Sequence, residues 1–150
     1  TYPLPEAQID RFLFKILLTY PPMDQEMDIV DRYAGSSDIG ELKKVMDRTD
    51  MVRLQELTRM VPISKDLSNY AVQIVGKTRQ SKNIEYGASP RASIGLILAA
   101  KANALIGKRN YVVKKDIQEM AFPVLRHRVV LSFKAEKEGL KPDDVIKELI

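Results

Sequence analysis

Apolar residues recur along most of this chain at the three- and four-residue spacing of amphipathic helices, with serine, aspartate, glycine and proline marking where the runs start and stop. Ile9 and Phe12, three apart and preceded by Glu6, predict a short helix within Pro5 to Phe12. Leu13 to Tyr20 breaks the rhythm. It is largely apolar, holds β-branched and aromatic members, and stops at Pro21-Pro22, as a buried strand would. A lone strand leaves its backbone groups unpaired, so this one needs partners elsewhere in the chain or in a sheet lying ahead of it in sequence.

Helical spacing returns after the double proline. Asp24 is placed to cap a helix with the stripe Met27, Val30 and Ala34, flanked by Ile29 and Tyr33, and Gly35 sits where a left-handed residue would end it. Ser36 to Asp50 has no clean period and reads as a connection with a short extended stretch at Lys44 to Met46. Asp50 is placed to cap Met51 to Val61, which carries Leu54, Leu57 and Val61 on one face and is stopped by Pro62. Ser64 opens the next helix, whose wide stripe is Leu67, Tyr70, Ala71, Ile74 and Val75. Gln80 to Gly87 reads as a polar loop.

Ser89-Pro90 opens the longest helix, Arg91 to Ile106, which is apolar nearly all round and therefore the expected centre of the fold, with Gly107 at its end. Lys114 to Leu125 follows, with Ile117, Met120, Ala121, Val124 and Leu125 in its stripe and Pro123 set to kink or break it. Val129 to Phe133 has the make-up of a short strand, and Pro142 to Ile150 predicts a closing helix with Val145, Ile146 and Leu149 inward. The sum is a mainly α helical bundle with two or three short strands at most, no internal repeat, and one obvious boundary at Pro21-Pro22.

Composition narrows the chemistry more than the fold. With 45% hydrophobic and 29% charged residues over 150 positions, the chain needs no staple to hold a core. It has no cysteine, which excludes disulfides, thiolate zinc sites and a cysteine nucleophile, and a single histidine, His127, which leaves too few nitrogen ligands for a histidine-rich metal site and argues against a Ser-His-Asp triad. No apolar run approaches the roughly 20 residues of a membrane span, and no leader-like segment opens the chain, so the cytoplasm is the expected location. The sequence starts at Thr1 in what already reads as structured chain, which suggests that it was cut from something longer. Net charge is +4, yet the densest basic spots, Lys108-Arg109, Lys114-Lys115 and Arg126 to Arg128, lack interleaved aromatics. Charge alone therefore argues only weakly for nucleic acid, and a basic helical nucleic-acid-binding or protein-interaction module stands as the alternative function.

Gly87-Ala88-Ser89-Pro90-Arg91 is the most informative local feature. Serine at the N-cap and proline at the first helical position fix a helix start with free N–H groups, and Arg91 one residue on sits against the positive end of the helix dipole. An anion such as a phosphate would relieve that opposition. The competing interpretation is a capped helix whose arginine pairs with a nearby carboxylate such as Glu85. By their residues alone, Asp10-Arg11 reads as a solvated helix face, Lys101 as a snorkelling stem, and Arg126-His127-Arg128 as cations at a helix C-terminus rather than an anion site. Phosphate-loop, dinucleotide-binding and zinc-protease motifs are all absent, so these residues do not make a complete active site.

Thr1-Tyr2-Pro3-Leu4-Pro5-Glu6-Ala7-Gln8-Ile9-Asp10-Arg11-Phe12 resembles, nearly word for word, the end of the nucleotide-binding core of the MoxR family of AAA+ ATPases. The resemblance continues in the family's order through Tyr20-Pro21, Thr78-Arg79, Gly87-Ala88-Ser89-Pro90-Arg91-Ala92, Tyr111-Val112 before Asp116, and Val124-Leu125-Arg126-His127-Arg128. It implies that residues 1–20 are the C-terminal end of an α/β ATPase core, with the arginine-finger helix and the last strand, and that residues 21–150 are the helical lid. Arg11 resembles the arginine finger, which acts on a nucleotide held by the next subunit, and Arg91 resembles sensor 2, with Gly87, Ala88, Ser89 and Pro90 beside it at the nucleotide. Whether Arg91 acts on its own subunit's nucleotide or a neighbour's stays open. The resemblance further implies ATP and Mg2+ in the full-length protein, a ring expected as a hexamer, a chaperone-like role in assembly, maturation or metal insertion, and a partner with a von Willebrand factor A domain. It also implies that this chain, without the phosphate loop, the magnesium motif and sensor 1, is inactive alone and holds no nucleotide tightly.

Overall fold

Serine hydroxyls start the helices that shape this molecule. In a computed structural model that describes residues 2, 4–34 and 42–150, Ser64 Oγ accepts from the Leu67 amide at 3.2 Å, Ser89 Oγ from Arg91 at 3.2 Å, and Ser132 Oγ from Ala135 at 3.3 Å. Each satisfies one of the free N–H groups of a helix start, worth about 1 kcal/mol. The elements run α1 (Glu6–Ile9), α2 (Met23–Ala34), α3 (Arg48–Met60), α4 (Lys65–Thr78), β1 (Ile84–Tyr86), α5 (Pro90–Ile106), α6 (Lys114–Leu125), β2 (Val130–Leu131), α7 (Phe133–Lys137) and α8 (Pro142–Leu149). The architecture is the mainly α bundle that the periodicity implies.

α5 is the central helix. It packs chiefly on α6, with α4 and α3 on its other sides, and α8 closes the bundle against α4 and α6. Its buried positions are mostly small, with Ala92, Gly95, Ala99, Ala100 and Ala104 around the one large side chain, Leu96. Small residues let neighbouring helices come close enough for Ile74, Val75, Ile117, Val124, Leu125, Val145 and Ile146 to be fully buried. Asp116, also buried, starts α6: it accepts from the Val113 amide at 2.8 Å and from both Arg109 terminal nitrogens at 2.7 and 2.6 Å. The Arg109 hydrogen bonds hold its carboxyl below the usual carboxylate range against the opposing effect of burial.

Several boundaries differ from the sequence expectations. α2 begins at Met23, so Asp24 lies in its first turn instead of capping it, and Gly35 lies outside the described residues. Asp47, not Asp50, caps α3, and the two exchange side-chain-to-backbone bonds at 2.9 and 3.0 Å, so Asp50 is the third residue of a capping box. No strand forms at residues 44–46. α6 runs through Pro123 to Leu125. Gly107 keeps a negative φ of −72° after α5, while Lys108 adopts the positive φ of 56°. The expected strand at residues 13–20 carries no ladder: a strand is a property of a pair, and no second strand lies beside it among the described residues. Its amide contact is instead to α6, from Lys15 N to Pro123 O at 2.9 Å.

The one sheet among the described residues is antiparallel, with Ile84 opposite Leu131 and Tyr86 opposite Val130. It ties the segment before α5 to the segment after α6, and β1 falls inside what the sequence presents as a polar loop. β2 falls within the expected strand at residues 129–133, but Phe133 already belongs to α7.

Candidate functional site

The approach to α5 is built from its backbone outward. At the C-terminal end of α4, Thr78 Oγ1 donates to Val75 O at 2.6 Å and accepts from the Ala88 amide at 3.0 Å, while Arg79 Nε donates to Ala88 O at 2.8 Å. Both polar backbone groups of buried Ala88 are thus fixed by two consecutive residues. Gly87 makes this possible, because a Cβ there would lie 2.8 Å from the Arg79 backbone. With Gly87 and Ala88 pinned, Ser89 has one position in which to cap the helix, and Arg91 follows from it.

Arg91 pairs with Asp10, not with Glu85: its Nη1 lies 2.7 Å from Asp10 Oδ2, and its side chain is 54% exposed. The same carboxylate accepts from Ser89 Oγ at 3.0 and 3.1 Å and from Arg128 Nε at 3.2 Å. Asp10 is therefore the hub of the site rather than part of a solvated face. Burial pushes its carboxyl up, but the hydrogen bonds from Ser89 and Arg91 and the charges of Arg128 and Arg91 outweigh this and hold it below the usual carboxylate range. Arg11, the next residue, is exposed; its amide bonds to Gln8 O at 3.1 Å, and its side chain enters no hydrogen bond or ion pair among the described residues. The structure thus brings Arg91 and Gly87 to Pro90 against the turn that carries Arg11.

Arg126, His127 and Arg128 do more than complement a helix end. They read the backbone of residues 10–15 from one side. Arg126 donates to Lys15 O at 3.0 Å and to both Asp143 oxygens at 3.0 and 2.8 Å. Arg128 reaches the carbonyls of Asp10, Phe12 and Leu13. His127 Nε2 lies 2.9 Å from Phe12 O, so that nitrogen carries the proton, and Nδ1 is buried with no partner. Lys101 Nζ donates to Arg59 O at 2.9 Å, a structural use of its stem. Arg109, Arg126 and Arg128 are all neutralised by carboxylates within the chain, which removes much of the basic surface a nucleic acid would need.

The unpartnered Nδ1 gives a pH dependence. Burial lowers the His127 pKa from 6.5, opposed by its bond to Phe12 O and aided by the charges of Arg128 and Lys15. The unfolded chain then binds the proton first as pH falls below 6.5, so stability is full above that value and declines until the folded pKa is passed. Thermal midpoints of this chain should fall between pH 7.5 and 5.5, and less so for His127→Gln. Parallel curves for the two would remove His127 as the cause. Asp10 and Asp116 titrate below 3.8, outside that window.

A cavity of about 230 Å³ lies beside the hub, lined by Glu6, Asp10, Tyr86, Gly87, Ser89 and Arg128 among others. A larger apolar groove of about 700 Å³ runs along the same turn on its far side, past Ile9, Phe12, Phe14, Leu131 and Leu140. Among the described residues no cluster of three or more His, Asp or Glu is able to hold a metal, and no helix is long and apolar enough to cross a membrane.

Thr78, Arg79, Asp10 and Arg128 hold the start of α5 and the turn beside it together, which the residues alone did not foretell: Asp10 reads as a solvated face and Arg128 as a cation at a helix C-terminus. Thr78-Arg79 and Arg126 to Arg128 do stand among the landmarks of the family resemblance, and that was the available signal.

Residues 76–149 match the AAA lid domain family, which is helical as this bundle is. The chain is 41% identical over its whole length to the uncharacterized protein YeaC of Bacillus subtilis, of which it covers 47%. It is 38% identical over 99% of its length to chaperone MoxR1 of Mycobacterium tuberculosis, covering 41% of that protein. A crystal structure of a candidate ATPase from Cytophaga hutchinsonii superposes over 99% of the chain with a TM-score of 0.92 at 36% identity, the chain covering 48% of it. The chain therefore belongs to the MoxR-like AAA+ ATPases, and what it carries of them is the lid portion. It spans about half the length of the relatives it matches.

Proposed function

We propose that this chain supplies two arginines to an ATP-hydrolysing ring: Arg11 as a finger reaching a nucleotide on the neighbouring subunit, and Arg91 as the sensor at the start of α5. Residues 1–20 belong in this reading to the end of the ATPase core and residues 21–150 to the lid. The observation that carries it is a contrast in partners. Arg11 is exposed and unengaged among the described residues, while Asp10 beside it is held from three sides. A side chain left free on a turn that is otherwise clamped suits action on something outside the chain.

Arg91 fits a phosphate by the physics of its position. It stands half-exposed at a helix N-terminus, against the dipole, with a carboxylate supplying the negative charge that a phosphate would otherwise supply. Gly87, Ala88, Ser89 and Pro90 hold that helix start in place. Mg2+ enters with ATP in the full-length protein. By analogy with the relative named a chaperone, the assembled ring acts on client proteins, maturing or metallating them beside a partner with a von Willebrand factor A domain, in the cytoplasm.

A finger acting in trans makes turnover depend on assembly. In the full-length protein, ATP turnover per subunit should rise steeply over the concentration range in which sedimentation shows subunits joining. Turnover per subunit that stays flat from monomer to assembled ring would overturn the reading.

A further inference from the structure

Arg128 is one of the most thoroughly engaged side chains in the chain. Its side chain is 1% exposed, and its guanidinium donates to Asp10 Oδ1, Asp10 O, Phe12 O, Leu13 O and Val124 O. Only the last of these acceptors belongs to the lid's own helices. The others lie on the turn at residues 10–13, and the carbonyls of Asp10 and Phe12 bracket Arg11 in the chain. Apart from Ser89 and Arg91 on the Asp10 carboxylate, the turn is held locally by its own amides, from residues 10, 11 and 12 to Glu6 O, Gln8 O and Ile9 O; α1 ends at Ile9 after a single turn, and residues 13–20 form no ladder. Leu13 rests on α5, where a Cβ on Gly95 would come within 3.2 Å of its Cδ1. His127 Nε2 shares Phe12 O with Arg128, at 2.9 Å.

We propose that Arg128 is a positioning residue for Arg11: it clamps the backbone on both sides of Arg11 to the lid, so that the arginine offered to a neighbour and the sensor arginine move as one body. The proposal rests on the finger reading of Arg11 and adds the element that aims it. Chemistry favours arginine for the task. A planar fork with five donors satisfies several carbonyls and a carboxylate at once, whereas a lysine ammonium is a compact charge with three donors and cannot span them. The joint with Asp10 completes the link, since the same carboxylate accepts from Arg91 at 2.7 Å. When the lid turns, the turn bearing Arg11 turns with it, and the sensor on one subunit is thereby tied to the finger offered to the next.

The test uses mixed rings of the full-length ATPase. Arg128→Gln should lower kcat at least about 10-fold with KM for ATP little changed, because misplacing a reacting group by about an ångström costs that much or more. Arg128→Lys keeps the ion pair with Asp10, so it should fold where Arg128→Gln fails, and it should show the same loss of kcat in smaller degree. The deciding measurement adds subunits that have intact Arg11 and Arg128 but an inactivated phosphate-binding loop. Such subunits have no turnover of their own, yet they should restore turnover at the nucleotide sites of either Arg128 variant by lending a correctly aimed finger. If Arg11→Ala subunits are rescued in this way and Arg128 variants are not, Arg128 serves only its own lid and the proposal falls. If Arg11→Ala subunits are not rescued either, the finger reading fails and takes the proposal with it.

Discussion

Full-length protein carrying Arg11→Ala should bind ATP nearly as tightly as the parent and turn it over about 10³ to 10⁵ times more slowly, the range that a finger arginine contributes to phosphoryl transfer. The expectation follows from where the charge is needed. Negative charge that develops on the transferred phosphoryl group is absent from the bound ground state to the same degree, so a cation brought up from outside stabilises the transition state selectively. Affinity is then nearly untouched while kcat collapses. Arg11 is well suited to this test because its side chain is exposed and touches no polar partner among the described residues. Truncation there should cost no more than about 0.5 kcal/mol in stability, so lost turnover would not be lost fold. Turnover within a few-fold of the parent would remove Arg11 from the chemistry. Loss of ATP binding in parallel would move it from the neighbour's site to its own.

The longer helices were all legible in the sequence, and their ends were clearest where a helix buries residues. α4, α6 and α8 repeat apolar residues at helical spacing because each faces the same core, α5 is apolar nearly all round because it lies at the centre, and Ser64 and Ser89 announce two of these starts. No residue of α2 or α3 is fully buried, although α3 packs on α5, so packing does little to sharpen their ends, and two aspartates three apart at positions 47 and 50 offered two possible caps. β1 and β2 are three and two residues long and pair across more than forty positions, beyond the reach of any local period. The site divides along the same line. Arg91 was legible because a capped helix start is a local pattern. Its partner was not: Asp10 lies 81 residues away, while Glu85, the local choice, sits on an exposed edge of β1. Asp10 reads as solvated until Arg128, 118 residues on, is seen beside it. Sequence spacing carries no trace of a contact made by folding.

Arg91→Ala should slow ATP turnover by about 10² to 10³, the usual effect of removing one preorganised donor from a developing charge, and should also raise the ATP concentration needed for half-saturation. It differs from Arg11→Ala in moving both quantities, because a sensor touches the phosphates in the ground state as well as in the transition state. The fold should survive the change. Asp10 loses one of three cationic or hydroxyl partners but keeps Ser89 Oγ at 3.0 Å and Arg128 Nε at 3.2 Å, and the Arg91 side chain is already half in water, where such a pair contributes little. The cap is unaffected too, since Ser89 bonds to the backbone amide of residue 91, which alanine retains. Arg91→Lys separates charge from geometry. A lysine there keeps the cation at the helix start but offers a compact ammonium in place of the planar fork, so affinity should recover further than kcat does. An ATP titration and a turnover rate both equal to the parent's would leave the Asp10–Arg91 pair as an ordinary surface ion pair. An unfolded Arg91→Ala protein would contradict the partner arithmetic at Asp10, which predicts that Ser89 and Arg128 suffice to hold the turn.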